Sequence, residues 1–227
     1  MSLSPVVDTR SSSVASVDQL PVFPLDHAVL FPGVVLPLRV AEPSESELIA
    51  DSVACHGLVV VTMIRPGAAA DNPPALCEVG CLGRIIVAQV LSSGAYDVQI
   101  EGIERVVLGE EVASARGYRC FRARPCVEPT AGEQADARRQ WRQLHHCVHS
   151  LDRLARGHDD DLVEILHSTQ DPLELSDLLA AVLVRDPAVQ QELLARMSLP
   201  ARLDLLVDCL METMAELGSP AQRPNRH

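Results

Sequence analysis

The segment LPVFPLDHAVLFPGVVLPLRVAEP, Leu20–Pro43, constrains the fold more than any other part of this chain. A helix cannot accommodate the four prolines that precede the last residue of this segment, because each lacks a backbone N–H and clashes with the preceding turn. These prolines are Pro21, Pro24, Pro32 and Pro37. We therefore predict two short strands, Val22–Phe23 and Val34–Val40, at a sheet edge or barrel rim where proline is tolerated. Pro32-Gly33 indicates a turn between them.

Further strands and one helix are predicted in the rest of the N-terminal half. Apolar runs and alternating patterns predict strands over Leu58–Ile64, Val79–Leu91, Tyr96–Glu101, Arg105–Leu108 and Tyr118–Val127. Val79–Leu91 is apolar on both faces, which is typical of an interior strand. Gly102 is expected to interrupt the next strand, between Glu101 and Arg105. Ser44 and Glu47 form a capping box that predicts a helix over Ser44–His56.

The C-terminal half carries helical patterns, so the chain as a whole is predicted to be α+β. Asp171 and Asp186 each precede a proline and are predicted helix caps. Apolar residues follow helical spacing in two stripes, Trp141, Leu144, Val148, Leu151 and Leu154 in the first and Leu203, Leu206, Leu210, Met214 and Leu217 in the second.

Charge and residue usage exclude several functions. The net charge of −12 opposes binding to phosphate backbones, so a nucleic-acid partner is not expected. The chain contains no lysine, which rules out a P-loop, a Ser-Lys dyad and a Schiff base. It shows no signal-peptide or membrane-spanning pattern, and its seven cysteines are an odd number. We therefore expect a cytoplasmic protein with reduced thiols and no membrane contact.

Several motifs, taken together in their order and spacing, resemble one family. They are Leu20 to Leu25, Leu30 to Gly33, Leu36 to Pro43, Gly83 to Ile85, Gly94 to Gly102 with Arg105, and Arg202-Leu203. The family they resemble is the N-terminal substrate-binding domain of Lon-type ATP-dependent proteases. That family commonly has aromatic residues at two positions where this chain has Ala41 and Val106, so its substrate preferences are not carried over.

The resemblance covers roughly residues 20–217 and implies both a fold and a function. The implied fold is a PUA-like β pseudo-barrel followed by a helical bundle. The implied function is non-catalytic: the ATPase and peptidase domains of Lon are expected to be absent, and no cofactor is needed. The implied partner is an unfolded polypeptide or another protein, bound by apolar loops and by the groove between barrel and bundle. A change in composition at Glu128–Gly132 separates the barrel, residues 20–128, from the bundle, residues 132–217. Residues 1–19 and 218–227 are expected to be disordered tails.

The candidate functional positions are the proline-glycine turn and two charged residues. An exposed apolar loop could bind polypeptide, since such patches often mark interaction sites; its residues would be Phe31, Pro32, Gly33 and Val34. The alternative is that Phe31 fills the bottom of the barrel. Glu42 and Arg105 are expected to form a structural ion pair inside the barrel, with ligand binding as the alternative role.

Three clusters contain possible metal ligands, but their spacing is unsuitable. His145 and His149 are four residues apart on a helix, whereas His146 and Cys147 point elsewhere, so at most two ligands converge. Asp159–Asp161 is typical of a helix N-terminus. Four cysteines lack zinc-ribbon spacing and are expected to be small buried residues, namely Cys77, Cys81, Cys120 and Cys126. We predict no metal site and no catalytic site.

The alternative function is an RNA- or small-ligand-binding module, because PUA-like folds elsewhere bind RNA. Such a module would need a basic groove. The candidates are arginines in and around one predicted strand, Arg116, Arg119, Arg122 and Arg124. The two hypotheses therefore differ in whether these arginines form a free basic surface.

Overall fold

The computed structural model describes residues 19–127, 129–154, 169 and 171–218. In chain order its elements are β1 (Leu20–Leu25), β2 (Val35–Val40), α1 (Pro43–Cys55), β3 (Leu58–Met63), β4 (Val79–Val90), β5 (Tyr96–Val112), β6 (Cys120–Pro125), α2 (Ala131–Asp136), α3 (Arg138–Leu154), α4 (Pro172–Leu183), α5 (Pro187–Ala195) and α6 (Leu199–Gly218). This order confirms the α+β class. The predicted tails, apart from Gln19 and Gly218, and the Asp159–Asp161 cluster lie outside the described residues.

The six strands form one sheet in the order β2-β5-β4-β3-β1-β6. β6 also pairs with the C-terminal half of β5, so β5, β4, β3, β1 and β6 make a closed ring of hydrogen-bonded strands. β2 lies outside this ring, where Val35–Val40 pairs antiparallel with Tyr96–Glu101 of β5. Its second edge has no partner among the described strands, so the sheet keeps one open edge.

The hairpin of β4 and β5 extends beyond the ring. β3 pairs with β4 at Cys81–Arg84, and beyond Arg84 the pairing of β4 is with β5. This distal half is exposed to solvent, since Val90 is 61% exposed, so the prediction that all of Val79–Leu91 is an interior strand is wrong. β5 continues through Gly102, and the interruption predicted there is a shift of its register against β4 between Gly102 and Glu104.

α1 begins at Pro43, after the N-cap Glu42, whose side chain makes no capping hydrogen bond. The predicted capping box is therefore wrong, because Ser44 and Glu47 both lie inside the helix. Glu47 instead accepts a hydrogen bond from the Gly117 N–H at 3.2 Å. Proline is favoured at the first helical position, where no N–H is needed, and this local preference decides where the helix starts.

One of the apolar core clusters joins the helices to the strands, and we call it the shared core. The predicted stripes are confirmed where their side chains are described, since this core includes Leu144, Val148 and Leu151 of α3 and Leu203, Leu206 and Leu210 of α6, with Trp141 and Met214 packed against it. The side chains of Leu154 and Leu217 lie outside the described part of the structure. Three residues of the strand-rich half join the shared core, Val29, Phe31 and Met63.

The predicted caps are also confirmed, because Asp171 and Asp186 accept hydrogen bonds from the first-turn N–H groups of α4 and α5. In the part of the chain that the structure describes, no helix is long and apolar enough to cross a bilayer.

Asp51 of α1 ties this helix to the chain just before β6. Its carboxylate accepts a hydrogen bond from the Tyr118 hydroxyl at 3.0 Å and forms an ion pair with Arg116. Burial and the neighbouring carboxylate raise the pKa of Tyr118 to about 12. The fold therefore favours the neutral phenol.

We expect Tyr118 to make the protein less stable in alkaline solution. Its contribution is complete below the unfolded-state pKa of about 10 and is lost as the pH rises from about 10 to about 12. In urea unfolding between about pH 9 and pH 11, the free energy of unfolding should therefore fall more steeply for the wild type than for Tyr118→Phe. A parallel decline in the two proteins would contradict this assignment.

Candidate functional site

The loop predicted to bind polypeptide, Phe31–Val34, is held against the strands. Phe31 has no exposed surface and belongs to the shared core, so the expectation that it contacts a partner from solvent is wrong and the buried alternative holds. Pro32 and Val34 are half-buried, and Gly33 is exposed with a φ of 74°, which favours glycine. The Gly33 N–H donates to the Gly102 carbonyl at 2.9 Å and so fixes the loop on β5.

The predicted Glu42–Arg105 ion pair is also wrong. Glu42 lies just beyond Val40, which pairs with Tyr96 at the start of β5, whereas Arg105 lies nine residues further along that strand. At about 3.3 Å per residue, the two positions are roughly 30 Å apart. Arg105 is 2% exposed and pairs instead with Asp177 of α4, 72 residues away in the sequence.

Asp177 lies between two buried arginines and joins the strands to the helices. Arg105 donates from Nη1 to Asp177 Oδ2 at 2.8 Å, from Nη2 to Oδ1, and from Nε to the Leu194 carbonyl at 3.0 Å. Arg202 of α6 donates to Asp177 Oδ1 at 3.4 Å and to the Arg196 carbonyl at 3.1 Å. Each of these three charged residues is at most 2% exposed. This triad fixes how α4, α5 and α6 sit against β5.

A groove runs between the strands and α5, and we call it the strand–helix groove. It has a volume of about 390 Å³. Residues of both halves of the chain line it, Arg65, Pro66, Cys77, Glu78 and Val79 on the strand side and Ala188, Gln191, Glu192 and Ala195 on α5. The sequence predicted a groove between the two halves but did not single out these residues, because no local pattern distinguishes them from ordinary surface positions.

Hydrogen bonds to main-chain carbonyls hold the walls of the groove in place. Gln191 Nε2 donates to the Val79 carbonyl at 2.8 Å, and the Thr62 hydroxyl donates to the Cys77 carbonyl at 3.1 Å. The Gln191 Oε1 atom is buried and has no hydrogen-bond partner among the residues that the structure describes. Burial raises the pKa of the Cys77 thiol, which makes it a poor nucleophile at neutral pH. These groups suit binding better than proton transfer or nucleophilic attack.

The open edge of the sheet offers a second surface. Side chains alternate along β2, with Leu36, Leu38 and Val40 packed on a core cluster and Val35, Pro37 and Arg39 exposed. Pro37 removes one N–H from the strand, which is a common way of limiting unwanted pairing at a sheet edge. An extended peptide could still add to this edge through the remaining main-chain groups.

Three of the four arginines considered for RNA binding are paired with carboxylates. The ion pairs are Arg116 with Asp51, Arg119 with Glu111 at 2.6 Å and Arg122 with Glu110 at 3.4 Å. Arg119 also lies over the ring of Phe121, at 4.9 Å from its centroid. Pairing with carboxylates offsets the charge of these three arginines, so the RNA-binding alternative, which requires a free basic surface, is not favoured.

The possible metal ligands are dispersed. Within the described ranges, no three His, Cys, Asp or Glu side chains lie close enough together to hold a metal ion. His145 packs edge-on against Trp141, with 4.6 Å between the ring centres, and His149 is exposed. Cys81 and Cys120 are buried, as expected for small core residues, whereas Cys77 and Cys126 are only half-buried, contrary to that expectation.

The chain is similar in sequence to part of several Lon proteases. Residues 19–212 match the family described as the ATP-dependent protease La (LON) substrate-binding domain. The Lon protease of Chloroflexus aurantiacus is 31% identical over an alignment of 224 residues that covers 94% of this chain and 26% of the relative. That of Phenylobacterium zucineum is 29% identical over 188 residues, 82% of this chain and 24% of the relative. The chain thus spans about a quarter of the length of these relatives.

Two solved structures share the fold. The N-terminal domain of Mycobacterium avium complex Lon protease superposes with a TM-score of 0.68 at 17% identity, over 86% of this chain and 99% of that one. The Lon N-terminal domain protein from Xanthomonas campestris gives a TM-score of 0.58 at 20% identity, over 85% and 98% of the two chains. Since the family match also covers most of the sequence, the chain belongs to the family of Lon (ATP-dependent protease La) substrate-binding domains.

Proposed function

We propose that this chain binds polypeptide segments without acting on them, and that the strand–helix groove is the binding site. The observation that carries the proposal is the groove itself, which both halves of the chain line and which Phe31 does not occupy. The family description, a substrate-binding domain, supports it. In this proposal the ring of strands is a PUA-like pseudo-barrel within residues 20–128, and the helices of residues 132–217 form its bundle.

The composition of the groove suits an extended segment with apolar side chains. Ala188 and Ala195 are small and leave space above α5, and the volume of about 390 Å³ falls within the range of ligand sites in proteins. Arg65, Glu78 and Glu192 line the same groove and can form hydrogen bonds with the main chain of a bound peptide. The β2 edge gives such a peptide a further place to pair as a strand.

Arginine at both Ala188 and Ala195 should weaken peptide binding by about tenfold or more, because two long charged side chains would fill the groove. Both alanines are exposed on α5, and arginine is a good helix former, so the fold should tolerate the change. The measurement is fluorescence anisotropy with a labelled, apolar-rich peptide taken from an unfolded protein. Equal affinity of the wild type and the double variant would overturn the groove as the binding site.

A matched control places arginine at Ala50 and Ala54, which are exposed on α1 and outside the groove, and this variant should bind as the wild type does. Thiol alkylation gives an independent readout. Bound peptide should slow the alkylation of Cys77, which lines the groove, and leave that of the exposed Cys55 unchanged. Equal protection of both thiols would indicate a global effect and count against the groove.

A further inference from the structure

α3 carries a stripe of basic side chains along its solvent face. Arg139, Arg142, His146, His149 and Arg153 follow each other at intervals of three and four residues, and all five are exposed. At 1.5 Å per residue the stripe is about 21 Å long. It is unexpected in a chain whose net charge is −12, and neither the family match nor the proposed peptide site accounts for it.

The neighbouring helix α6 carries the opposite charge. Its exposed acidic side chains recur every four residues, Asp204, Asp208, Glu212 and Glu216. Among the residues that the structure describes, neither these carboxylates nor the arginines of the α3 stripe take part in an ion pair. The two helices therefore present one basic and one acidic stripe that are not neutralised within the described part of the chain.

An apolar depression lies between α3 and α6, beside the basic stripe, and we call it the α3/α6 groove. Its volume is about 580 Å³. Cys147, Val207 and Met211 are among its lining residues, as are Arg139 and Arg142 of the basic stripe. Met211 is 53% exposed, a high value for a large apolar side chain in the middle of a helix. An apolar strip flanked by charges of opposite sign is typical of a helix-pairing surface.

We propose that the α3/α6 groove is the contact between two copies of this chain. A two-fold axis parallel to the helices places α3 of one copy opposite α6 of the other, so each basic stripe faces an acidic stripe and the two Met211 side chains meet near the axis. A partner with an acidic surface alone would satisfy the α3 stripe but would be repelled by the α6 stripe. A second copy complements both stripes at once.

The test is the mass of the full chain in solution, measured by sedimentation over about a hundredfold range of concentration. The wild type should rise from 24.6 kDa toward twice that mass, and high salt should shift the rise to higher concentration. Met211→Glu should remain a monomer. The matched control Val53→Glu, at an exposed valine of α1, should behave as the wild type.

Charge reversal tests the proposed pairing of stripes. Arg142→Glu and Asp208→Arg should each weaken dimerisation, whereas the two changes in one chain should restore it, because the proposed contact between positions 142 and 208 is then reversed on both sides of the interface. A wild type that stays monomeric throughout, or a double reversal no better than either single one, would overturn the proposal. So would a monomer whose α3/α6 groove binds an acidic helical peptide. Peptide binding at the strand–helix groove is measured separately and can fail or succeed independently of this result.

Discussion

Replacing Asp177 with asparagine should lower the free energy of unfolding by about 3–5 kcal/mol. Asparagine has nearly the same shape, so the change removes charge and leaves packing almost unaltered. Arg105 and Arg202 would then remain in the core, each at most 2% exposed, without the carboxylate that balances them. A domain of this kind is stable by roughly 5–15 kcal/mol in total, so urea unfolding followed by circular dichroism should show a large shift of the midpoint.

The matched control is Asp186→Asn, the same chemical change at an exposed helix cap. Asparagine caps helices as well as aspartate does, so the free energy of unfolding should change by less than about 0.5 kcal/mol. A small effect at Asp177, comparable to that at Asp186, would show that the buried charges are compensated in some other way. The triple variant Arg105→Met, Asp177→Leu, Arg202→Met is a further test, since buried ion pairs often exchange for apolar residues at little cost.

Local sequence signals predicted most of the features that a few neighbouring residues determine, although the capping box of Ser44 and Glu47 was wrong. Proline without an N–H excludes a helix from the segment before α1, and the strands β1 and β2 are found there. Asp171 and Asp186, each followed by proline, cap helices as expected, and leucines at helical spacing mark the buried face of α6. These signals arise within one or two turns of chain, so a single sequence contains them in full.

The triad and the groove could not be predicted in this way because they depend on contacts between distant segments. Asp177 lies between Leu175 and Leu179 on an ordinary amphipathic helix, and nothing nearby indicates that an arginine 72 residues earlier is its partner. Gln191 and Val79 are 112 residues apart. The one available signal was an acidic residue on the apolar face of a helix, which is costly unless it is paired.

The burial of Phe31 also depends on distant segments and could not be predicted from its neighbours in the sequence. Its neighbours, a proline and a glycine, fit an exposed loop and a buried anchor equally well. Phe31 is a buried anchor because the helices supply most of the core that surrounds it. A binding test that mutates this residue would therefore measure folding, since removing a buried phenylalanine costs about 3–5 kcal/mol. For this reason the proposed binding tests use exposed positions on α5 instead.

Gly102→Ala is the second substitution for which we expect a large loss of stability, of about 3 kcal/mol. A Cβ atom at this position would lie 2.1 Å from the Phe31 carbonyl oxygen and 3.1 Å from Cys81 Sγ, so the loop would have to move away from β5. That movement would strain the hydrogen bond from the Gly102 N–H to the Val34 carbonyl, now 2.9 Å long, and pull Phe31 out of the shared core.

Gly109→Ala is the matched control, because it makes the same change in the same strand with more space around it. There the nearest atom to an added Cβ would be the Arg122 carbonyl oxygen at 3.3 Å, which a small adjustment can relieve. In urea unfolding, the Gly102 variant should therefore lose much more stability than the Gly109 variant. Equal losses would mean that β5 disfavours alanine for reasons of strand geometry, and that the contact between Gly102 and the Phe31 backbone does not hold the loop in place.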